Sequence, residues 1–156
     1  MKCFLLCFLL AVPCFVFAQT ADRIERLLAQ DKVSYSDAAL LVLEASGQID
    51  LLGKLDSARQ ASPDEAFNLA VERGWLPIGA EENGDAMLNG LSLLVMQAFE
   101  IDGGLLYSLF KNSHYAYRAM VYRGIIQGRA DPQMPVSGDL LLYTVNRAME
   151  TGSNNK

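Results

Sequence analysis

The sequence predicts an all-α fold, and three observations predict it. Helix start and stop signals recur along the chain behind residue 18, period-2 strand patterns are nearly absent, and one helical segment returns 50 residues later with its glycine stop.

A first helix is expected over 22–30, where Ile24, Leu27 and Leu28 share a face. Ser34 and Asp37 form a capping box before 38–46, with Gly47 in the stop position, and a short helix follows near 49–52. Ser62-Pro63-Asp64-Glu65 places a capping serine, a first-turn proline and an acid three residues after the cap, so the orphan amides of the next helix find acceptors. That helix runs to Gly74, with Phe67, Ala70 and Val71 on its apolar face and Asn68, Glu72 and Arg73 on the other. Further helices are expected over 87–99 and 105–111, from Ser113 to a stop at Gly124, and from Ser137 through a leucine-rich run closing at Gly152. Trp75, the only tryptophan, follows a helix-stop glycine and is expected in the core.

Residues 65–76 and 115–126 align without a gap. Four of the twelve pairs are identical: Ala66 with Ala116, Val71 with Val121, Arg73 with Arg123, and Gly74 with Gly124. An apolar pair follows each glycine, and Ala98-Phe99-Glu100 keeps the same offset with Ala148-Met149-Glu150. Each unit reads as helix, glycine stop, apolar pair, loop, leucine-rich helix. A lone helix cannot bury its apolar stripe, so the units are expected to share one core.

Residues 1–18 have the order of a secretory signal, with Lys2 as the positive end and an apolar run from Cys3 to Phe17 behind it. That run is shorter than the ~20 apolar residues a membrane span needs, and a polar stretch follows at once. Cleavage after Ala18 fits the small residues Val16 and Ala18; a lipid anchor at Cys14 is the alternative, against which stands Pro13 in front of it. All three cysteines lie inside this segment, so no disulfide is expected in the exported chain and its fold rests on an apolar core or a partner. Removing Lys2 with the signal leaves 12 basic and 18 acidic residues, a net charge of −6. An acidic chain of this kind is, as a whole, not expected to bind nucleic acid or an anionic membrane surface.

The repeated unit resembles the S-layer homology (SLH) domain, whose repeats carry an alanine-rich helix ending in glycine, an apolar turn, a loop with Asp, Gly and Pro, and a helix opened by a motif like I-T-R-A-E. Val33-Ser34-Tyr35-Ser36-Asp37-Ala38-Ala39 lies over that opening; the third unit offers Gly124-Ile125-Ile126, Asp131-Pro132, Pro135 and Val136-Ser137; the middle one is looser, with Trp75-Leu76-Pro77-Ile78-Gly79 and 87–99. The resemblance divides the chain into a signal peptide over 1–18, an N-terminal helix over 19–32, two to three helix-loop-helix repeats over 33–152, and a disordered tail over 153–156. It implies an exported bacterial envelope or periplasmic protein that attaches to peptidoglycan or another wall polysaccharide. The motif arginine that the family turns to anionic glycan falls on Tyr35, Asn89 and Gly138, and the aromatic of the family's loop is replaced by Gln133 and Met134. The family's glycan contacts therefore do not carry over residue by residue, and an interaction subunit of an envelope complex, without glycan binding, stands beside the wall-binding reading.

One patch stands out on composition alone. From Gly103 to Ala130 there is no acidic residue, while Lys111, Arg118, Arg123 and Arg129 lie among Tyr107, Phe110, Tyr115, Tyr117 and Tyr122. On a helix Tyr115, Arg118 and Tyr122 form one stripe, and Tyr117, Met120 and Val121 take the buried face. Aromatic rings stack on sugars and guanidinium groups pair with carboxylate or phosphate, so Tyr115, Arg118, Tyr122, Arg123 and Arg129 are the candidate ligand-binding residues. The alternative is that these rings and cations cover a seam within the fold.

Catalytic signals are weak. His114 is the only histidine, it lies in the acid-free stretch, and a helix-start position suits it better than a metal site. Glu81, Glu82 and Asp85 lack the spacing of a calcium loop, and a carboxylate hydrolase would rest on that loop alone. Ser and His lack a nucleophile-elbow context, and Gly103-Gly104 reads as a helix break. The expectation is a protein without catalytic residues, metal or cofactor.

Overall fold

A computed structural model describes residues 21–52, 61–128 and 130–153. The signal peptide and the tail beyond 153 lie outside the described residues. Within them the protein is all-α: helix α1 covers 21–28, followed by α2 (Tyr35–Ser46), a 3-10 helix (Gln48–Leu52), α3 (Pro63–Glu72), α4 (Leu88–Ala98), α5 (Gly104–Phe110), α6 (Ser113–Tyr122) and α7 (Gly138–Ser153).

Local capping fixes most of these starts. The Ser34 side chain accepts from the Asp37 N–H, and Ser62 and Glu65 complete a reciprocal box around the start of α3. At α6 the cap is Asn112 rather than Ser113, because the Asn112 side chain accepts from the Tyr115 N–H at 3.0 Å. Gly74 and Gly124 stop α3 and α6 with φ of 67° and 71°, a left-handed conformation that carries no penalty without a Cβ. Helix α7 does not close at Gly152 but continues to Ser153.

Helices α3 and α4 match α6 and α7 at the offset of 50, so the sequence repeat is a structural one. With α1 and α2 the chain forms three helix-loop-helix units. Their second helices α2, α4 and α7 pack on one another, α3 lies on α2 and α6 on α4, and α1 reaches the start of α7, where the Gly138 N–H donates to the Gln30 carbonyl at 3.0 Å.

Backbone hydrogen bonds close these units into a ring. The Val33 N–H donates to the Val136 carbonyl, the Val136 N–H to the Ala86 carbonyl, and the Ala86 N–H to the Val33 carbonyl, each at 2.8 Å. The neighbouring amides follow suit: Tyr35 donates to Gly84, and Leu88 to Met134. This explains how α4 starts behind Met87, which has no capping side chain: the Leu88 and Asn89 amides find the Met134 and Pro132 carbonyls of the next loop. Val33, Ala86 and Val136 are each fully buried.

Ring register corrects one alignment. The position equivalent to Tyr35 and Gly138 is Leu88, not Asn89. A second correction concerns Val71 and Val121, which are exposed rather than buried. The inward arc of α3 runs through Ala66, Phe67, Leu69 and Ala70, and that of α6 through Ala116, Ala119 and Met120; each valine sits just past the arc's edge.

A β-carbon at Gly138 would lie 1.7 Å from the Leu27 carbonyl oxygen, a backbone atom with nowhere to go. Helix propensity alone favours Gly138→Ala by ~1 kcal/mol, but this clash outweighs it. We expect Gly138→Ala to lose about 3 kcal/mol in denaturant titration; an unchanged or raised midpoint would show that α1 does not seat against α7 as described.

Candidate functional site

Helix α6 turns two faces to different surroundings. Ala116, Ala119 and Met120 are buried against the core, and the Tyr117 hydroxyl donates to the Ala130 carbonyl, tying the helix to the loop behind it. The Arg147 guanidinium donates to the Gly124 carbonyl at 3.2 Å and holds the helix stop to α7. The opposite stripe carries Tyr115, Arg118 and Tyr122, as their spacing requires, and Tyr122 is 92% exposed. Arg118 and Lys111 make no ion pair among the described residues.

One predicted site residue does not join this stripe. Arg123 ends the helix half-buried, its N–H bonded to the Ala119 carbonyl, and its place on the wheel is rotated away from Arg118. Arg129 lies outside the described residues. The equivalent of Arg123 in the preceding unit, Arg73, sits 5.8 Å over the Trp75 ring. In the third unit Ile125 stands where Trp75 does, and both are buried as the sequence suggests for the tryptophan.

Helix α5 adds what sequence reading missed. Leu105, Leu106, Leu109 and Phe110 are 86, 51, 71 and 53% exposed, while Tyr107 alone turns into the core. The Phe110 ring stacks on Tyr115 at 5.3 Å with 22° between planes, so the apolar ridge of α5 continues into the stripe of α6. His114 meets the same tyrosine edge-on. The signal was present in the run Leu105-Leu106-Tyr107-Ser108-Leu109-Phe110, whose apolar arc is too wide for a seven-residue helix to bury. Lys111 ends α5 in the left-handed region at φ 40°, where glycine would be cheaper.

A concavity of about 410 Å³ lies between the starts of α2 and α4 and is lined by Tyr35, Pro77, Ile78, Asp85, Asn89 and Gln133 among others. Tyr35, Asn89 and Gln133 thus face one cleft, although Asn89 is not the position equivalent to Tyr35. Its charge is acidic: Glu81 and Asp85 line it, and Lys32 is paired with Asp85 at 2.6 Å. Nor can the three equivalent motif positions present a cation. Tyr35 is buried with its hydroxyl accepting from the Met87 N–H, Leu88 is fully buried, and Gly138 has no room for a side chain. Burial pushes the Tyr35 phenol above its ordinary range, with the Met87 N–H acting in the opposite sense.

The acidic loop is occupied by other contacts. The Asp64 carboxyl at the start of α3 raises that of Glu82 above the usual range, since the two can share a hydrogen bond only when one is protonated, while Asp85 pairs with Lys32. Among the described residues no three His, Cys, Asp or Glu side chains gather as a metal site, and no described helix is long and apolar enough to cross a membrane.

Tyr107 anchors the ridge from below. The Gln97 amide donates to its hydroxyl at 2.9 Å, and burial pushes the phenol up to about 12 despite that bond. A neutral phenol is therefore favoured by folding, a contribution present below pH ~10 and lost as pH rises through about 12. Thermal melts should show Tyr107→Phe less stable than the parent by about 1 kcal/mol at pH 7, with the gap narrowing above pH ~10; a constant gap would mean that the phenol titrates normally.

The chain matches no family model, no curated protein and no solved structure.

Proposed function

We propose that the protein is a non-enzymatic module of the cell envelope, exported with cleavage after Ala18, which binds an anionic wall glycan or an acidic envelope protein through the α5–α6 surface. One observation carries this reading: Arg118 and Tyr122 stand exposed on a helix whose other face is buried, inside a 28-residue stretch without a single acid. Aromatic rings offer faces for sugar or side-chain stacking, and an unpaired guanidinium offers a fork for carboxylate or phosphate. The reading needs no catalytic group. SLH similarity in the repeated unit supports the envelope as the compartment.

The second reading, an interaction subunit that touches no glycan, is favoured by Leu105 and Leu109, since aliphatic side chains this exposed add nothing to sugar recognition. Sedimentation with purified sacculi separates the two. Wall binding predicts that the exported chain pellets and that Arg118→Ala with Tyr122→Ala lowers the pelleted fraction roughly tenfold, a loss of ~1.4 kcal/mol. Retention in the supernatant, with an envelope protein co-purifying in fixed ratio, replaces the glycan by a protein partner. If the double variant alters neither result, the α6 stripe is not the site.

A further inference from the structure

We propose that the α5 ridge seats the protein on an anionic lipid surface. This rests only on the reading of the α5–α6 surface as a docking face, and assigns its α5 half a partner beyond the glycan or protein proposed above.

Three features fit lipid better than a protein groove. The first is shape. Leu105 and Leu109 form one row of α5 and Leu106 and Phe110 the next, and together they cover a wide outward arc of a helix only seven residues long. Such a convex apolar ridge finds its complement in a fluid layer that closes around it, and exposed apolar surface of this kind otherwise carries a standing cost in water.

The second is the border of the ridge. Tyr115 stacks on Phe110, the exposed His114 meets Tyr115 edge-on, and the exposed Tyr122 stands about two turns further along the same stripe of α6. Amphipathic rings suit the headgroup level, with the aliphatic side chains below them. The third is charge. Lys111 ends the ridge, exposed and held in a left-handed conformation, and Arg118 stands exposed one helix away, both without an ion pair among the described residues. No acid occurs from 103 to 130; Glu100 and Asp102 line a concavity with Lys111 on the Tyr107 side of α5, away from the exposed leucines, without an ion pair to it among the described residues. The remainder of the chain carries a net negative charge, so an anionic surface favours approach through this acid-free stretch.

Vesicle sedimentation tests the proposal with the chain purified from an exporting host, in the form its N-terminus has there. The protein should pellet with phosphatidylglycerol vesicles and stay in solution with phosphatidylcholine ones, and 0.5 M salt should weaken the binding by shortening the range of attraction to a few ångströms, on the order of 4 Å. Leu105→Ser with Leu109→Ser should lower partitioning by roughly tenfold or more, with circular dichroism unchanged because both side chains are already in solvent. Lys111→Gly relieves the backbone and should melt at or above the parent while binding phosphatidylglycerol less well. No binding to phosphatidylglycerol, equal binding to both lipids, or binding indifferent to the two leucines would overturn the proposal. If sacculi or an envelope protein then retain the chain in an Arg118-dependent way, the docking face stands with a partner other than lipid; if Arg118→Ala and Tyr122→Ala alter retention nowhere, the face itself is lost.

Discussion

Three backbone hydrogen bonds, from Val33 to Val136, from Val136 to Ala86 and from Ala86 to Val33, hold the remainder of the molecule in place. Each joins two units that are far apart in sequence, and each is buried where water cannot substitute for a lost partner. Their geometry brings the starts of α2, α4 and α7 together, lets the loop of one unit cap the helix of the next, and excludes a side chain at Gly138. With no cysteine after Cys14, the closure is achieved by main chain and core alone.

The ring leaves few signs in the amino-acid sequence, because main-chain donors and acceptors are the same at every residue. What the sequence does carry is local. Ser34, Ser62 and the glycines at 47, 74 and 124 mark helix ends through bonds made within a few residues; Ser62 and the three glycines act as read, while Ser34 caps α2 without the reciprocal half of a box, because the Asp37 carboxylate accepts from the Ser34 hydroxyl. Asn112 escaped notice because Ser113 beside it is an equally good capping residue, and only the direction of the chain decides between them. Leu88 was displaced by one position for the same reason that Met87 can precede α4: its amide is satisfied by a distant loop, so no local motif marks the start.

The candidate site divides in a similar way. Charge depletion between 103 and 130 is a property of the chain itself, and the i, i+3, i+7 spacing of Tyr115, Arg118 and Tyr122 fixes their common face once α6 is a helix. Whether that face meets solvent or a neighbour is decided by packing. Arg123 has the right charge yet turns half inward at the helix stop, and Leu105, Leu106, Leu109 and Phe110 look like core in sequence but stand outside it. The cleft beside Tyr35 shows the converse: residues that read as lost motif positions converge there, in an acidic setting unsuited to anionic glycan. Two surfaces of different character thus lie on one scaffold, an acidic cleft beside Tyr35 and an apolar ridge next to the acid-free α6 stripe.

Amide hydrogen exchange at Val33, Ala86 and Val136 tests most directly whether the three units form one closed platform. A closed ring predicts that the three amides exchange together, at the slow rate set by global unfolding. If the Val33 amide exchanges well ahead of the other two, the first unit opens by itself and the ring does not hold the fold together.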